Sequence, residues 1–307
     1  MHSMSMYALS VRDLAAKTSE NKAGNLKLAN IRGLDALSFL TDFVNKLEAD
    51  YLKLTDPTTN QELNSVLKVT SPKVDGRFIS GWVEYGHYGV PGKIINVDNS
   101  QSVYRKTKKD SDINHLYFCF YVPENKYKGI ALFHKIGNVG VKGVLEEKIN
   151  EDSAFPAWSK GLKLRIKPIT KATDTKQWMR KAQVKKIVLE KFKDKDKFSD
   201  VANRLDSGAS FEMTIVAPRG EFLGSLLDWN SDKYSDTVEL LEDMCAEVKS
   251  VIEVGGKRRV TSLSNTGTES KVEITSQDVE MQENFPKFSS IDNYAKELAK
   301  ELINTMG

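Results

Sequence analysis

The residues best suited to chemistry in this sequence are the cations of one short basic segment, residues 160–197. This segment carries 14 Lys and Arg residues against 4 Asp and Glu residues, within a chain whose formal net charge is +3. Such a concentration of positive charge suits a polyanion, because each phosphate that a cation neutralises releases counterions. We therefore predict that residues 160–191 of this segment contact nucleic-acid backbone.

The spacing of the cations favours the same prediction. Residues 162–169 alternate between apolar and polar types, which is typical of a β-strand with one buried face. Lys163, Arg165 and Lys167 then share the other face, about 6.7 Å apart. Trp178 lies among the cations and offers a ring on which an unpaired base can stack. The further candidate contacts to nucleic acid are Arg180, Lys181, Lys185, Lys186, Lys257, Arg258 and Arg259.

Two other interpretations of the basic segment stay open. A strand with one wet face commonly alternates charged and apolar residues, so these cations can simply be solvated. Alternatively, they contact the acidic residues 228–247 of another copy, or a partner protein, in an interaction or oligomerisation module. A smaller basic cluster, residues 105–109, is expected in a loop, where cations commonly serve solubility.

A second, weaker candidate is a phosphate-binding turn. Gly137, Gly140 and Lys142 lie between a predicted strand and a predicted helix, where backbone amides and a lysine can hold a phosphate. The spacing matches neither GxxxxGK[ST] nor GxGxxG, and a tight turn explains the glycines equally well. No cofactor is predicted from this or any other motif.

The candidate catalytic residues are few, and whether the chain is an enzyme stays open. Glu247 and Lys249 form an ExK triplet, with Glu212 and Asp228 upstream, and metal-dependent nucleases bring such acids and a lysine to one cation. The triplet is expected at the end of a helix rather than on a central strand, which disfavours a nuclease. The four histidines do not show zinc-ligand spacing with each other or with cysteine, and no metal site is predicted.

The periodicity predicts an α+β fold with mostly antiparallel mixed sheets, flanked by a few amphipathic helices. Hairpins are expected over residues 66–83, 116–134 and 251–263, and helices over residues 34–54, 139–149, 236–248 and 289–303. We predict an N-terminal α+β domain of residues 1–155. Residues 156–307 would form a second α+β domain, basic in its first part and acidic in its second.

The sequence favours a cytoplasmic protein without a membrane partner. No signal peptide is visible, and no apolar stretch approaches the roughly 20 residues that span a bilayer. Cys119 and Cys245 belong to no CxxC pair and each lies in an apolar pattern, so we expect both to be buried thiols in a reducing compartment.

Two stretches carry a resemblance to known sequences. Residues 118–149 (FCFYVPENKYKGIALFHKIGNVGVKGVLEEKI) and residues 256–298, which begin GKRRVTSLSN, resemble uncharacterised bacterial proteins of mobile or anti-phage defence islands. Together they cover about a quarter of the chain. The resemblance implies a bacterial cytosolic protein that senses or blocks phage infection, and it brings no catalytic residues with it.

Overall fold

The computed structural model describes residues 2–13, 26–56, 59–151, 162–169, 179–192, 212–229, 231, 233–254, 256–263 and 271–305. The chain divides into two compact units. We call Ala8–Lys167 the N-terminal unit, and Met1–Tyr7 together with Pro168–Gly307 the C-terminal unit. The domain boundary predicted between residues 155 and 156 lies outside the described residues.

The N-terminal unit is built mainly of antiparallel sheet. Its elements are β1 (His2–Asp13, of which residues 8–13 belong here), α1 (Ala36–Lys46), β2 (Leu52–Thr55), β3 (Glu62–Asp75), β4 (Phe78–His87), β5 (Gly92–Ile95), β6 (Ser102–Lys106), β7 (Asp112–Tyr121), β8 (Gly129–Ile136), α2 (Lys142–Glu151) and β9 (Leu162–Pro168). The strand order is β1-β8-β7-β4-β3-β2, β9 pairs with β1, and β5 and β6 form a separate two-stranded sheet.

The two hairpins predicted in this unit are confirmed. β3 and β4 turn at Gly76, whose φ of +56° suits glycine, and Asp75 pairs with Phe78 across the turn. β7 pairs with β8. Residues 116–120 of β7 are all buried, so this strand is covered on both faces, as its continuous apolar run indicates.

The helix predicted over residues 34–54 is only half correct. α1 begins after Asp35, whose carboxylate accepts a hydrogen bond from the Leu37 N–H, and it ends at Lys46. Residues Leu52–Thr55 form β2 instead, because they pair with β3 at the edge of the sheet. Apolar residues at helical spacing therefore continued past the true end of the helix.

The C-terminal unit combines antiparallel strands with a long amphipathic helix. Its elements after residue 167 are β10 (Gln183–Phe192), β11 (Glu212–Val216), α3 (Leu226–Trp229), α4 (Ser235–Met244), β12 (Cys245–Val254), β13 (Lys257–Ser262), β14 (Lys271–Ile274), β15 (Met281–Gln282), β16 (Phe285–Pro286) and α5 (Phe288–Thr305). The strand order is β11-β10-β12-β13-β14-β1, and β15 pairs with β16.

Another predicted helix, residues 236–248, is too long. α4 ends at Met244, and the chain enters β12 at once. β12 lies between β10 and β13, and its buried side chains include Val248, Ser250, Ile252 and Val254. The hairpin predicted around residues 255–256 is confirmed, with Val254 paired to Lys257.

The described residues support an α+β class in which sheet dominates and helices are few. Cys119 and Cys245 are both buried free thiols, as predicted. Among the helices of the described part of the chain, none has the length and apolar character needed to cross a bilayer.

Candidate nucleic-acid interface

Three cations share one face of β9, and we call them the β9 row: Lys163, Arg165 and Lys167. Lys163 and Lys167 are exposed and Arg165 is half-buried. Three apolar side chains of the strand are buried, as the alternation predicts: Leu162, Leu164 and Ile166. Pro168, at the end of the strand, is exposed. No residue of the β9 row forms an ion pair with a described residue. Within the described part of the chain, the row is therefore a set of cations without ion-pair partners on an anchored strand.

Helix α2 fixes the backbone of β9. The Asn150 side chain accepts a hydrogen bond from the Leu164 N–H at 3.0 Å and donates one to the Leu164 carbonyl at 3.1 Å. The Glu146 carboxylate accepts from the Ile166 N–H at 2.8 Å. These bonds add to the pairing of β9 with β1, so the positions of the cations do not depend on a loop.

The next predicted contacts lie in the C-terminal unit, beginning with two exposed cations. Arg180 and Lys181 come just before β10, and neither forms an ion pair with a described residue. Trp178, predicted as a stacking residue, lies outside the described residues. Only the two cations can therefore be placed at the surface.

The two lysines of β10 already have partners. The Lys185 ammonium lies 3.8 Å from the centre of the Phe222 ring and donates to the Glu221 carbonyl at 3.3 Å. The Lys186 ammonium lies 3.9 Å from a Glu212 carboxylate oxygen on β11. Both contacts are partly exposed, and a phosphate would have to compete with them.

The basic triplet at the β12–β13 turn divides between the two faces of the strand. Arg258 is exposed, whereas Arg259 has a side chain only 2% exposed. The backbone of Lys257 begins β13, and its side chain lies outside the described residues. The interior position of the Arg259 guanidinium disfavours the predicted contact with nucleic acid, which stays a prediction.

Arg259 instead joins β13 to α5. Its guanidinium lies 2.9 Å from the Glu301 carboxylate and 4.9 Å from the centre of the Tyr294 ring. Burial by itself lowers the pKa of Arg259, but the interactions with Tyr294 and Glu301 outweigh it and raise the pKa overall. Burial raises the pKa of Tyr294 to about 12. The contact is therefore a buried ion pair beside a neutral ring.

The predicted phosphate turn uses its lysine internally. The Lys142 ammonium lies 2.5 Å from the Glu146 carboxylate, one turn further along α2. Gly137 has a φ of +59°, and a side chain at Gly140 would crowd the stem of Lys135. The φ of Gly137 and the side-chain contact at Gly140 therefore give structural reasons for the two glycines, and phosphate binding at this turn stays a prediction.

The ExK triplet lies on a central strand, contrary to the expectation of a helix end. On β12, the Lys249 ammonium is 3.0 Å from Glu190 on β10 and 3.4 Å from Glu273 on β14. Lys249 is 12% exposed, so it neutralises these two acids in a sheltered position. No group of three or more potential metal ligands occurs among the described residues.

Ser65 and His87 lie opposite each other on β3 and β4, a pair that the sequence spacing did not reveal. The Ser65 hydroxyl is 2.8 Å from His87 Nδ1. Asp112 on β7 lies opposite His87 in the backbone register of the sheet. Its carboxylate, however, binds the Lys106 ammonium at 2.5 Å. Since Ser65 is buried and His87 contacts no described carboxylate, the pair lacks the geometry of a nucleophile triad.

The basic cluster of residues 105–109, which was expected in a loop, lies partly on a strand: Arg105 and Lys106 belong to β6, whereas Lys108 and Lys109 lie in the turn that follows it. Lys93 and Arg105 are exposed residues of the ribbon formed by β5 and β6. The signal available in the sequence was two short segments with strand-favouring residues (Ile94, Ile95 and Val97, then Val103 and Tyr104), separated by the polar residues 98–102. The ribbon is the second basic surface of the N-terminal unit.

Comparison of the sequence with models of known protein families finds no match. Comparison with curated proteins finds no match either.

Proposed function

We propose that this chain binds nucleic acid through the phosphate backbone, with the β9 row as its principal contact. The observation that supports the proposal is a set of cations, free of ion pairs with described residues, on a strand whose other face is buried. Because α2 also holds the backbone of β9, the cations lose little main-chain freedom when they meet phosphates.

Exposed cations of the C-terminal unit extend the proposed contact set. Arg180, Lys181 and Arg258 are exposed and carry no ion pair with a described residue. Lys185 and Lys186 take a secondary role, because each must give up an existing partner. Such contacts give affinity without sequence preference, since phosphates are the same at every base pair.

The biological setting is proposed separately. The resemblance of residues 118–149 and 256–298 to proteins of defence islands suggests that nucleic-acid binding serves phage defence in the bacterial cytoplasm. The proposal assigns no catalytic step, because Lys249 already neutralises Glu190 and Glu273, the described acids in contact with it.

The test compares two charge reversals of equal size in the full-length protein. The first variant, K163E/R165E/K167E, reverses the β9 row. The control reverses three other exposed lysines of the N-terminal unit: Lys27→Glu, Lys46→Glu and Lys126→Glu. Fluorescence anisotropy with a mixed-sequence DNA duplex in 0.1 M salt measures binding, and far-UV circular dichroism checks that each variant is folded.

We expect the first variant to bind at least tenfold more weakly than the control, because it loses specific phosphate contacts as well as overall charge. Equal weakening of both variants would mean that net charge alone matters and would contradict the role of the β9 row. If the parent protein does not bind the duplex but forms a concentration-dependent oligomer, the interaction-module interpretation replaces this proposal.

A further inference from the structure

The ribbon of β5 and β6 is an exposed element of the N-terminal unit. Its two strands form their own sheet, and every residue from 90 to 105 is exposed. The large apolar side chains that share this exposure are Val90, Ile94, Ile95, Val97, Val103 and Tyr104. So many exposed apolar side chains on one element indicate a contact surface.

Two cations of the ribbon lie opposite each other, which favours the binding of an anion between them. Lys93 and Arg105 are paired directly across the strands, so both point to the same face with Cβ atoms about 5 Å apart. Like charges opposite each other are destabilising, and neither residue forms an ion pair with a described residue. A phosphate beside them would relieve the repulsion. Lys108 and Lys109 are exposed next to the same end of β6.

Hydrogen bonds at both ends give the ribbon a defined shape. At its base, the Gly89 N–H donates to the Lys108 carbonyl at 3.0 Å. Asp110 accepts from the N–H and the hydroxyl of Thr107. At its turn, the Asn96 N–H donates to the Gln101 carbonyl at 2.9 Å. A ligand therefore meets a formed two-stranded element.

We propose that this ribbon enters the major groove of a B-form DNA duplex. The inference rests on the proposed nucleic-acid binding and specifies its ligand. A two-stranded ribbon fits a major groove about 12 Å wide and about 8.5 Å deep. The paired strands alone extend about 10 Å, which reaches the floor of the groove.

In this arrangement, the cations of the ribbon contact DNA phosphates and its apolar side chains contact the bases. Lys93 and Arg105 meet phosphates at the wall of the groove, and Lys108 and Lys109 meet those at its rim. Ile94 is on the opposite face of β5 from Lys93 and offers an apolar contact to thymine methyl groups. The major groove of A-form RNA is too deep and narrow for such an element, so the ribbon selects duplex DNA over duplex RNA.

A second copy of the chain is the competing occupant, since exposed apolar residues also suit a protein interface. The excess of cations favours the polyanion: residues 90–110 contain five Lys and Arg residues, of which Lys106 is paired with Asp112, and two Asp residues. One of those acids, Asp110, is already engaged by Thr107. The experiment below separates the two occupants.

The test uses the full-length K93E/R105E variant, with K27E/K126E as a control of equal charge change. The probes are a DNA duplex, an RNA duplex of the same sequence, and the single DNA strand. Anisotropy gives each affinity, and light scattering gives the mass of the protein without nucleic acid. Because the ribbon is exposed throughout, we expect both variants to remain folded, which their thermal unfolding midpoints check.

We expect the parent to prefer duplex DNA to duplex RNA, and K93E/R105E to lose roughly tenfold or more in affinity for duplex DNA. Its single-strand affinity should match that of the control. Equal affinity of K93E/R105E and the control for duplex DNA would overturn the inference. So would a parent dimer that only K93E/R105E converts to monomer while its DNA affinity stays unchanged.

Failure of this inference is distinguishable from failure of the proposed function. If reversal of the β9 row abolishes binding but K93E/R105E does not weaken it, only the ribbon proposal fails. If K93E/R105E weakens duplex binding and reversal of the β9 row does not, the β9 row is not the principal contact. A parent that binds none of the three probes contradicts both proposals.

Discussion

The buried ion pair between Arg259 and Glu301 provides the sharpest test of how the C-terminal unit is assembled. Glu301→Ala removes the carboxylate and leaves a guanidinium whose side chain is 2% exposed without its counterion. Breaking a buried pair in this way costs about 3–5 kcal/mol. Glu301 is 22% exposed and partly screened by water, so we expect the lower end, about 3 kcal/mol.

Urea unfolding measures this loss directly. With a dependence of about 1–3 kcal/mol per M urea, a loss of about 3 kcal/mol lowers the unfolding midpoint by about 1–3 M. Arg258→Gln is the matched control, because Arg258 is the exposed neighbour on the same strand. Its effect should stay within about 0.5 kcal/mol.

A double variant separates the cost of an unpaired charge from the loss of packing. Replacing both partners with apolar residues, Arg259→Met with Glu301→Leu, should recover much of the stability lost in Glu301→Ala, because no buried charge is left alone. The reasoning is refuted if Glu301→Ala unfolds at the same urea concentration as Arg258→Gln. It is also refuted if the double variant is less stable than Glu301→Ala.

Two further predictions concern the N-terminal unit. In Gly129→Ala, the new Cβ would lie 2.3 Å from the Tyr121 carbonyl oxygen, so we expect the free energy of unfolding in urea to fall by about 1–3 kcal/mol. The matched control is Gly143→Ala in helix α2, where the new Cβ would meet no atom within 4 Å, and we expect this change to be neutral or stabilising. An equal loss in both would contradict this difference. Burial acts to raise the pKa of Asp35, but the hydrogen bonds from Arg77 and the Leu37 N–H and the charge of Arg77 lower it overall. Its ionised form therefore stabilises the fold above the unfolded pKa near 3.8, and this contribution disappears as pH falls through the lower folded pKa. Asp35→Asn should reduce the thermal midpoint at pH 7 and match the parent near pH 2, and a gap that persists at pH 2 would contradict the assignment.

Structural features that depend on a single element could be predicted from the sequence. The alternation in residues 162–168 predicted β9 and the face of its cations, because a strand places successive side chains on opposite sides. The Asp75-Gly76 turn predicted the β3–β4 hairpin for a similarly local reason.

Features that depend on neighbouring strands were missed. Residues 52–55 and 245–248 continue helical spacing, but both segments pair with adjacent strands, and pairing outweighs local preference. The burial of Arg259 follows from the same cause. Once Lys257–Ser262 forms a strand, one of two consecutive arginines must face α5.

The exposure of the ribbon could not be predicted from the sequence pattern. β5 and β6 have the β-branched composition of ordinary sheet strands, which would normally be covered. Their exposure results from pairing only with each other in the described structure. Lys93 lies opposite Arg105 because of the register between β5 and β6, and that register can be assigned only when the position of the turn is known.

The most direct test of nucleic-acid binding is the salt dependence of affinity for a mixed-sequence DNA duplex. Each phosphate contact contributes about 0.9 to the slope of log K against log salt, so the three cations of the β9 row contribute about 2.7. We predict that K163E/R165E/K167E lowers the slope by about this amount, whereas K27E/K46E/K126E leaves it nearly unchanged. Equal slopes for the parent and the β9-row variant would contradict the account.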